Sequence, residues 1–107
     1  LLLRRVLSIE CYQPVPVGAV VEIRARGLSL SRAYLAVGLL GSPLTPGAGP
    51  WMDGLMGFVS IDAEGRPTPM PEDLVLEEPS AEWLDLRNRL EHLSARPGRR
   101  SARPATD

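Results

Sequence analysis

The fold turns on how LSRAYLAVGLL, the run from Leu30 to Leu40, is read. It is almost continuously apolar, carries Tyr34 and Val37, and is followed by Gly41. Its length suits a strand, while periodicity alone equally allows a segment of helix. The flanking segments decide for strand, as does Gly38 close to its end.

On the N-terminal side, Ala19 to Arg26 alternates. Val21, Ile23 and Ala25 face one way, and Glu22, Arg24 and Arg26 face the other, the pattern of a half-buried antiparallel strand. Gly18 opens this segment and Gly27 is expected to turn the chain. Earlier still, Val6 to Tyr12 also reads as a strand, with Leu7, Ile9 and Cys11 on one face. Pro14 and Pro16 cannot donate to a ladder and mark its end. On the C-terminal side, Ser42 to Pro50 (SPLTPGAGP) holds three prolines and two glycines and reads as a loop. Trp51 to Ile61 follows as a strand, apolar through Met52, Phe58, Val59 and Ile61. Gly54 and Gly57 within it predict a bulge or a close backbone approach. Asp62-Ala63-Glu64-Gly65 is a turn, capped by Asp62, with Gly65 at a positive-φ position. Arg66 to Pro71 (RPTPMP) is held extended by its alternating prolines.

One helix is predicted, over about 80–93. Ser80 is its N-cap and Glu82 lies in its first turn. Trp83, Leu86, Leu90 and Leu93 form one apolar stripe, more suited to core or interface contacts than to a ligand. Asp85 and Arg89 are spaced to pair across one turn. His92, near the C-terminus, suits a surface imidazole favoured by the helix dipole. From Ser94 onward, SARPGRRSARPATD has no large apolar residue and is expected to be a disordered Arg/Pro-rich tail.

The bulk composition narrows the possibilities. A chain of 107 residues supports one domain with one core. The net charge of -1 gives no electrostatic basis for a nucleic-acid partner or an anionic membrane. All 12 basic residues are Arg, as suits a GC-rich genome. A lone cysteine, Cys11, forms no internal disulfide, which points to a reducing, cytoplasmic setting. With one Cys and one His, no thiolate or imidazole metal site is expected. The opening Leu1-Leu2-Leu3-Arg4-Arg5 is too short an apolar run for a signal peptide or a membrane span. A strand-like beginning without Met leads to the expectation that upstream sequence is missing.

Several segments together resemble a known family. Val6-Leu-Ser-Ile-Glu-Cys-Tyr-Gln-Pro-Val-Pro-Val-Gly18 resembles the strand and Pro-Val-x-Val-Gly-Asp passage of hotdog-fold acyl-CoA thioesterases, and 19–26 looks like the long strand after it. Gly57-Phe-Val-Ser-Ile-Asp-Ala-Glu-Gly-Arg-Pro-Thr-Pro-Met-Pro71 is similar to the family's closing signature, Phe-Val-Ala-Val-Asp-x-x-Gly-Arg/Lys-Pro-x-Pro-Val-Pro. The resemblance covers roughly residues 6–93. It departs from the family at Ala19, where Asp is usual, and at Cys11, where an aromatic is common.

The resemblance implies an α+β fold: a hotdog-like antiparallel sheet with a C-terminal helix, lacking the N-terminal strand and central helix, over residues 1–93. It implies hydrolysis of an acyl-CoA thioester to a free acid and CoA, without a cofactor, by an assembly that is at least a dimer. An ungapped match sets Arg32-Ala33-Tyr34-Leu35 where many members have a Gly-Arg-Ser-Ser-type turn that approaches CoA. The residues expected to meet CoA are therefore Ser31, Arg32, Ala33 and Tyr34. The family's catalytic Asp or Asn lies on a central helix with no counterpart after Leu1, so no catalytic residue is assigned and the chain is expected to be inactive. Trp51-Met52-Asp53 echoes a motif of that helix, but its place just before Gly57-Phe58 makes it strand.

Individual side chains divide along the same lines. Asp53, an acid in an otherwise apolar strand, is either a general base perturbed by burial or a strand-end carboxylate in water, and the second is expected. Arg24 and Arg26 are expected on a wet strand face; Arg32, by resemblance, is the better phosphate ligand. Ser29 and Ser31 read as turn serines, since no His/Asp pattern accompanies them. The alternative function is a non-catalytic binding or oligomerisation module. Without a central helix, Leu7, Ile9, Val21, Ile23, Val37 and Phe58 have too little to pack on, and such a face seeks a partner.

Overall fold

The computed structural model describes residues 1–45 and 47–95. Its elements are β1 (Leu2–Cys11), β2 (Val21–Leu30), β3 (Tyr34–Pro43), β4 (Met52–Val59) and α1 (Ala81–Ala95). The strands form one antiparallel sheet in the order β1-β4-β3-β2. This is the α+β, hotdog-like arrangement expected, and the ambiguous apolar run is strand.

The boundaries differ from the sequence reading. Gly27 does not turn the chain; β2 continues through it to Leu30, and the turn comes at 31–33, where the Ser31 amide donates to the Tyr34 carbonyl at 2.9 Å. Gly27 serves instead at a register shift between Gly27 and Ser29, where Leu76 Cδ2 stands 2.9 Å from the place a Cβ would take. Likewise β3 runs past Gly41 to Pro43, because Met52 and Trp51 atoms occupy the space beside that glycine. The glycines of β4 do mark close approaches: the Tyr34 phenol lies over Gly57, and Ile9 and the Ser8 carbonyl crowd Gly54. The Asp62 turn is as predicted, with the carboxylate accepting from the Glu64 and Arg66 amides and Gly65 at φ +83°.

Cross-strand register sorts the side chains into two faces. One face consists of the rows Leu3–Phe58–Leu35–Leu30, Val6–Met56–Val37–Gly27, Ile9–Gly54–Leu39–Ala25 and Cys11–Met52–Gly41–Ile23, with no charged residue. The other has an apolar centre of Leu55, Ala36, Leu40 and Val59, flanked by Arg5, Ser8, Glu10, Asp53, Arg24 and Arg26.

Helix α1 packs on the second, charge-rimmed face. Trp83, Leu86 and Leu90 join Leu28, Ala36 and Leu55 in one buried cluster, with Leu93 partly buried against it, so the stripe is core as expected. The Trp83 amide donates to the Ser80 carbonyl at the helix start. His92 is exposed in the last turn. The helix extends two residues past 93 to Ala95; the expected tail from 96 on lies outside the described residues.

Three placements correct the sequence reading. Leu7 does not share a face with Ile9 and Cys11. Register shifts between Leu3/Arg5 and Val6/Ser8 turn it to the helix side, where it packs against the core. Arg24 and Arg26 lie at the rim of the face that α1 covers, with Arg24 still exposed as expected: Arg24 pairs with Glu82 and sits 5.8 Å over the Trp83 ring, and half-buried Arg26 reaches Glu77. Val21, Ile23 and Ala25, the apolar side of β2, therefore point away from the core.

Candidate functional site

The segments singled out by motif meet at one end of the sheet. After β4 the chain runs extended beside the β2–β3 turn. The Ser60 amide donates to Ala33 O at 2.7 Å, and the Met70 amide donates to Arg32 O at 2.8 Å. Between them the chain folds back on itself, through the Thr68 amide bonded to Ser60 O and a bridge between Ile61 and Pro67. Met70 is buried by this return, which fixes the backbone of the turn from outside.

Of the four turn residues, Ser31 and Arg32 are exposed and Ala33 half-buried. No ion pair reaches Arg32 among the described residues, so its guanidinium is open to an anion. Tyr34 parts company with them. Its ring lies over Gly57 on the helix side and packs against the core, so its place is structural. Ser29 is in β2 rather than a turn.

Asp53 lies elsewhere, on the covered face beneath α1, and fits neither reading made for it. It is 9% exposed, so it is not a strand-end carboxylate in water. Nor is it a free base: Arg89 Nη1 donates to Oδ1 at 2.8 Å and Nη2 to Oδ2 at 3.3 Å, while the Tyr12 hydroxyl donates to Oδ2 at 2.6 Å. Arg89 also reaches Ser8 Oγ at 3.3 Å. Its partner is thus Asp53 and not Asp85, because a two-pronged bond to a desolvated carboxylate outweighs an exposed pair across one turn. The hydrogen bond to Asp53, with burial adding to it, raises the Tyr12 pKa, and the same carboxylate raises that of Arg89. Sequence reasoning missed this cluster. One signal was present: Arg89 is three residues after Leu86 and four before Leu93, which puts it on the margin of the buried stripe.

Among the described residues, no group of side chains is arranged to hold a metal ion, and no helix is long and apolar enough to cross a membrane.

No protein-family model matches the sequence and no curated protein is significantly similar to it. Solved structures do match in fold. An apo hexameric acyl-CoA thioesterase superimposes over 94% of this chain and 62% of its own, with TM-score 0.68 and 19% identity. A hexameric thioesterase from Yersinia pestis matches over 66% and 62%, with TM-score 0.60 and 21% identity. A thioesterase from Thermus thermophilus, complexed with coenzyme A and Zn, matches over 90% and 61%, with TM-score 0.58 and 24% identity. The chain spans about three fifths of the length of each of these proteins.

Proposed function

We propose that this chain, as one domain over residues 1–93, carries the CoA-approach platform of an acyl-CoA thioesterase, and that it binds acyl-CoA without hydrolysing it. The observation that carries the reading is the pairing of two independently recognised segments. The turn 31–34 and the closing signature 57–71 are hydrogen-bonded neighbours through Ala33–Ser60 and Arg32–Met70. The fold likeness supports it. In this reading Arg32 donates to a phosphate of CoA, with Ser31 and Ala33 offering hydroxyl and backbone contacts beside it. Tyr34 holds the strand behind the turn. The proposed setting is the cytoplasm, as part of acyl-CoA and lipid metabolism.

The proposed inactivity rests on the lack of a counterpart to the family's central-helix acid, and the commitments of Asp53 support it. Water attack on a thioester needs a base within hydrogen-bond reach and a donor for the developing oxyanion. Asp53 is held by Arg89 and Tyr12 under α1, on the face away from the open rows. Titration calorimetry with a medium-chain acyl-CoA tests the reading. Binding that weakens about 10-fold in Arg32→Ala, with hydrolysis no faster than buffer, is the expected result. Affinity unchanged by Arg32→Ala, or turnover abolished by Asp53→Ala, contradicts it.

A second reading rests on a separate observation, the uncharged rows of the sheet. A non-catalytic association module would use that face, whatever the turn binds.

A further inference from the structure

The end of the sheet opposite the turn at 31–33 is built from two loops. Residues 12–20 join β1 to β2, and residues 44–51 join β3 to β4. Neither YQPVPVGAV nor LTPGAGPW holds an acidic or basic side chain, in a chain that is 23% charged. Charges resume two residues into the sheet, at Glu10, Glu22 and Asp53. Apolar side chains stand out from this end: Val17 is fully exposed, and Val20 and Leu44 are 65% and 58% exposed. We propose that this loop end is a lipid-contact surface, which seats Val17, Val20 and Leu44 shallowly in the interface of an uncharged, phosphatidylcholine-like bilayer. The proposal rests neither on CoA binding nor on the uncharged rows of the sheet.

Exposed apolar tips suit either a protein or a lipid partner, and the backbone favours lipid. An amide N–H without an acceptor is costly wherever water is thinned out. Pro14, Pro16, Pro46 and Pro50 have no N–H to leave bare. The amides of Tyr12, Ala19, Leu44, Ala48 and Trp51 donate within the protein, to the carbonyls of Trp51, Pro16, Val20, Thr45 and Gly41, at 2.8–3.1 Å. Gln13 Nε2 ties one loop to the other, donating to Gly49 O at 2.9 Å and Pro50 O at 3.1 Å. A protein partner would be selected by charge and by unpaired polar groups, and these loops offer few of either.

The side chains are arranged to match. Val17 sits at the apex of a turn closed by the Ala19 amide and the Pro16 carbonyl, with Gly18 at φ +94° beside it. Proline before the apex and a positive-φ glycine after it fix its direction, so little chain entropy is lost on contact. Tyr12, 53% exposed, and half-buried Trp51 stand at the base, between the apolar tips and the first charges. Aromatic rings take that level at the border of headgroups and acyl chains. Strands β2 and β3 are each about 33 Å long, so the turn at 31–33 stays in water at the far end. Without basic residues in the loops, the contact has no preference for anionic lipid and no dependence on salt.

Flotation of the full chain with vesicles of phosphatidylcholine, and with vesicles of phosphatidylcholine and phosphatidylglycerol in equal parts, tests this. The wild type should float with both alike, and added salt should not release it. Val17→Asp and Leu44→Asp should each weaken partitioning about 10-fold, because each loses apolar contact and drives a charge into the interface. Both side chains are more than half exposed, so each variant should fold, as far-UV dichroism would verify. Val75→Asp, at a 79% exposed site in the link before α1, should partition as the wild type does. A wild type that floats with neither vesicle overturns the proposal and leaves the loops to a protein partner. Binding confined to the anionic vesicles and lost in salt overturns it in favour of an arginine-driven contact. Binding insensitive to both loop variants also overturns it, and places the contact on another surface. The Arg32→Ala affinity for acyl-CoA is read separately, so either reading can fail while the other stands.

Discussion

The two faces of the sheet differ in a way opposite to simple expectation. The face covered by α1 has an apolar centre but a rim of Arg5, Glu10, Arg24, Arg26 and Asp53, and the paired rows of the face left open hold no charge. The helix is held where it is because that rim supplies fixed anchors. Arg89 reaches Asp53, and Glu82 at the helix start meets Arg24 beside Trp83. An apolar stripe would gain about as much per unit area on either face. The polar anchors exist on only one, and they choose the side. Adjacent residues on β4 sample the contrast directly: Leu55 is 0% exposed under the helix, while Met56 beside it points to the open face.

That pair gives the largest expected difference. Leu55→Ala should cost about 3–4 kcal/mol in chemical denaturation, as a core truncation that leaves a cavity. Met56→Ala should cost about 1 kcal/mol or less in the monomer. Its cost should rise with protein concentration if the open face pairs with a copy. Equal costs in dilute protein would break the comparison.

Removing the anchor comes next. Arg89→Ala strands the Asp53 carboxylate under α1 and should cost about 2–3 kcal/mol. That is less than for a fully buried pair, because the Arg89 side chain keeps 28% of its exposure. The double variant Asp53→Leu/Arg89→Leu should recover most of the loss, since no unpaired charge remains. A double variant as unstable as the single one would show that the anchor contributes by shape and not by charge.

The smaller effects belong to Tyr12. Losing its hydroxyl in Tyr12→Phe removes one hydrogen bond to Asp53, worth about 1 kcal/mol. The raised pKa adds a signature in pH. A phenol whose folded value lies above its unfolded one contributes stability that is fully present below the unfolded value of about 10. That contribution is lost as pH rises through the folded value. Denaturation of the wild type should therefore become easier above about pH 10, and Tyr12→Phe should lack that part of the decline. A decline unchanged in Tyr12→Phe would place its origin elsewhere.

Much of the fold was legible because alternation and the stripe at 83, 86, 90 and 93 report burial directly. Alternation in β2 correctly set Val21, Ile23 and Ala25 together and Arg24 and Arg26 together. It could not say which set the helix would cover, since that depends on Arg89 and Glu82, far along the chain. Boundaries slipped where a glycine had two physical uses. Gly27 and Gly41 looked like stops, yet each makes room for a neighbour's side chain within a strand. Leu7 was misplaced because a register shift is invisible to a strict two-residue count. In the candidate site, the turn and the closing segment were legible as motifs, and their contact was not. Tyr34 was read as part of the turn, but its ring covers Gly57 on β4 and packs, partly buried, against the core.

Helix position is the point on which both faces depend, and methyl NOE spectroscopy of Leu86 reads it directly. Leu86 is 1% exposed, against Leu28 and Leu55. Helix α1 on the charge-rimmed face predicts strong NOEs from its methyls to the Leu28 and Leu55 methyls and to the Gly38 α-protons, and none to Val37 or Met56. NOEs to Val37 and Met56 instead would put the helix on the uncharged face and contradict the account.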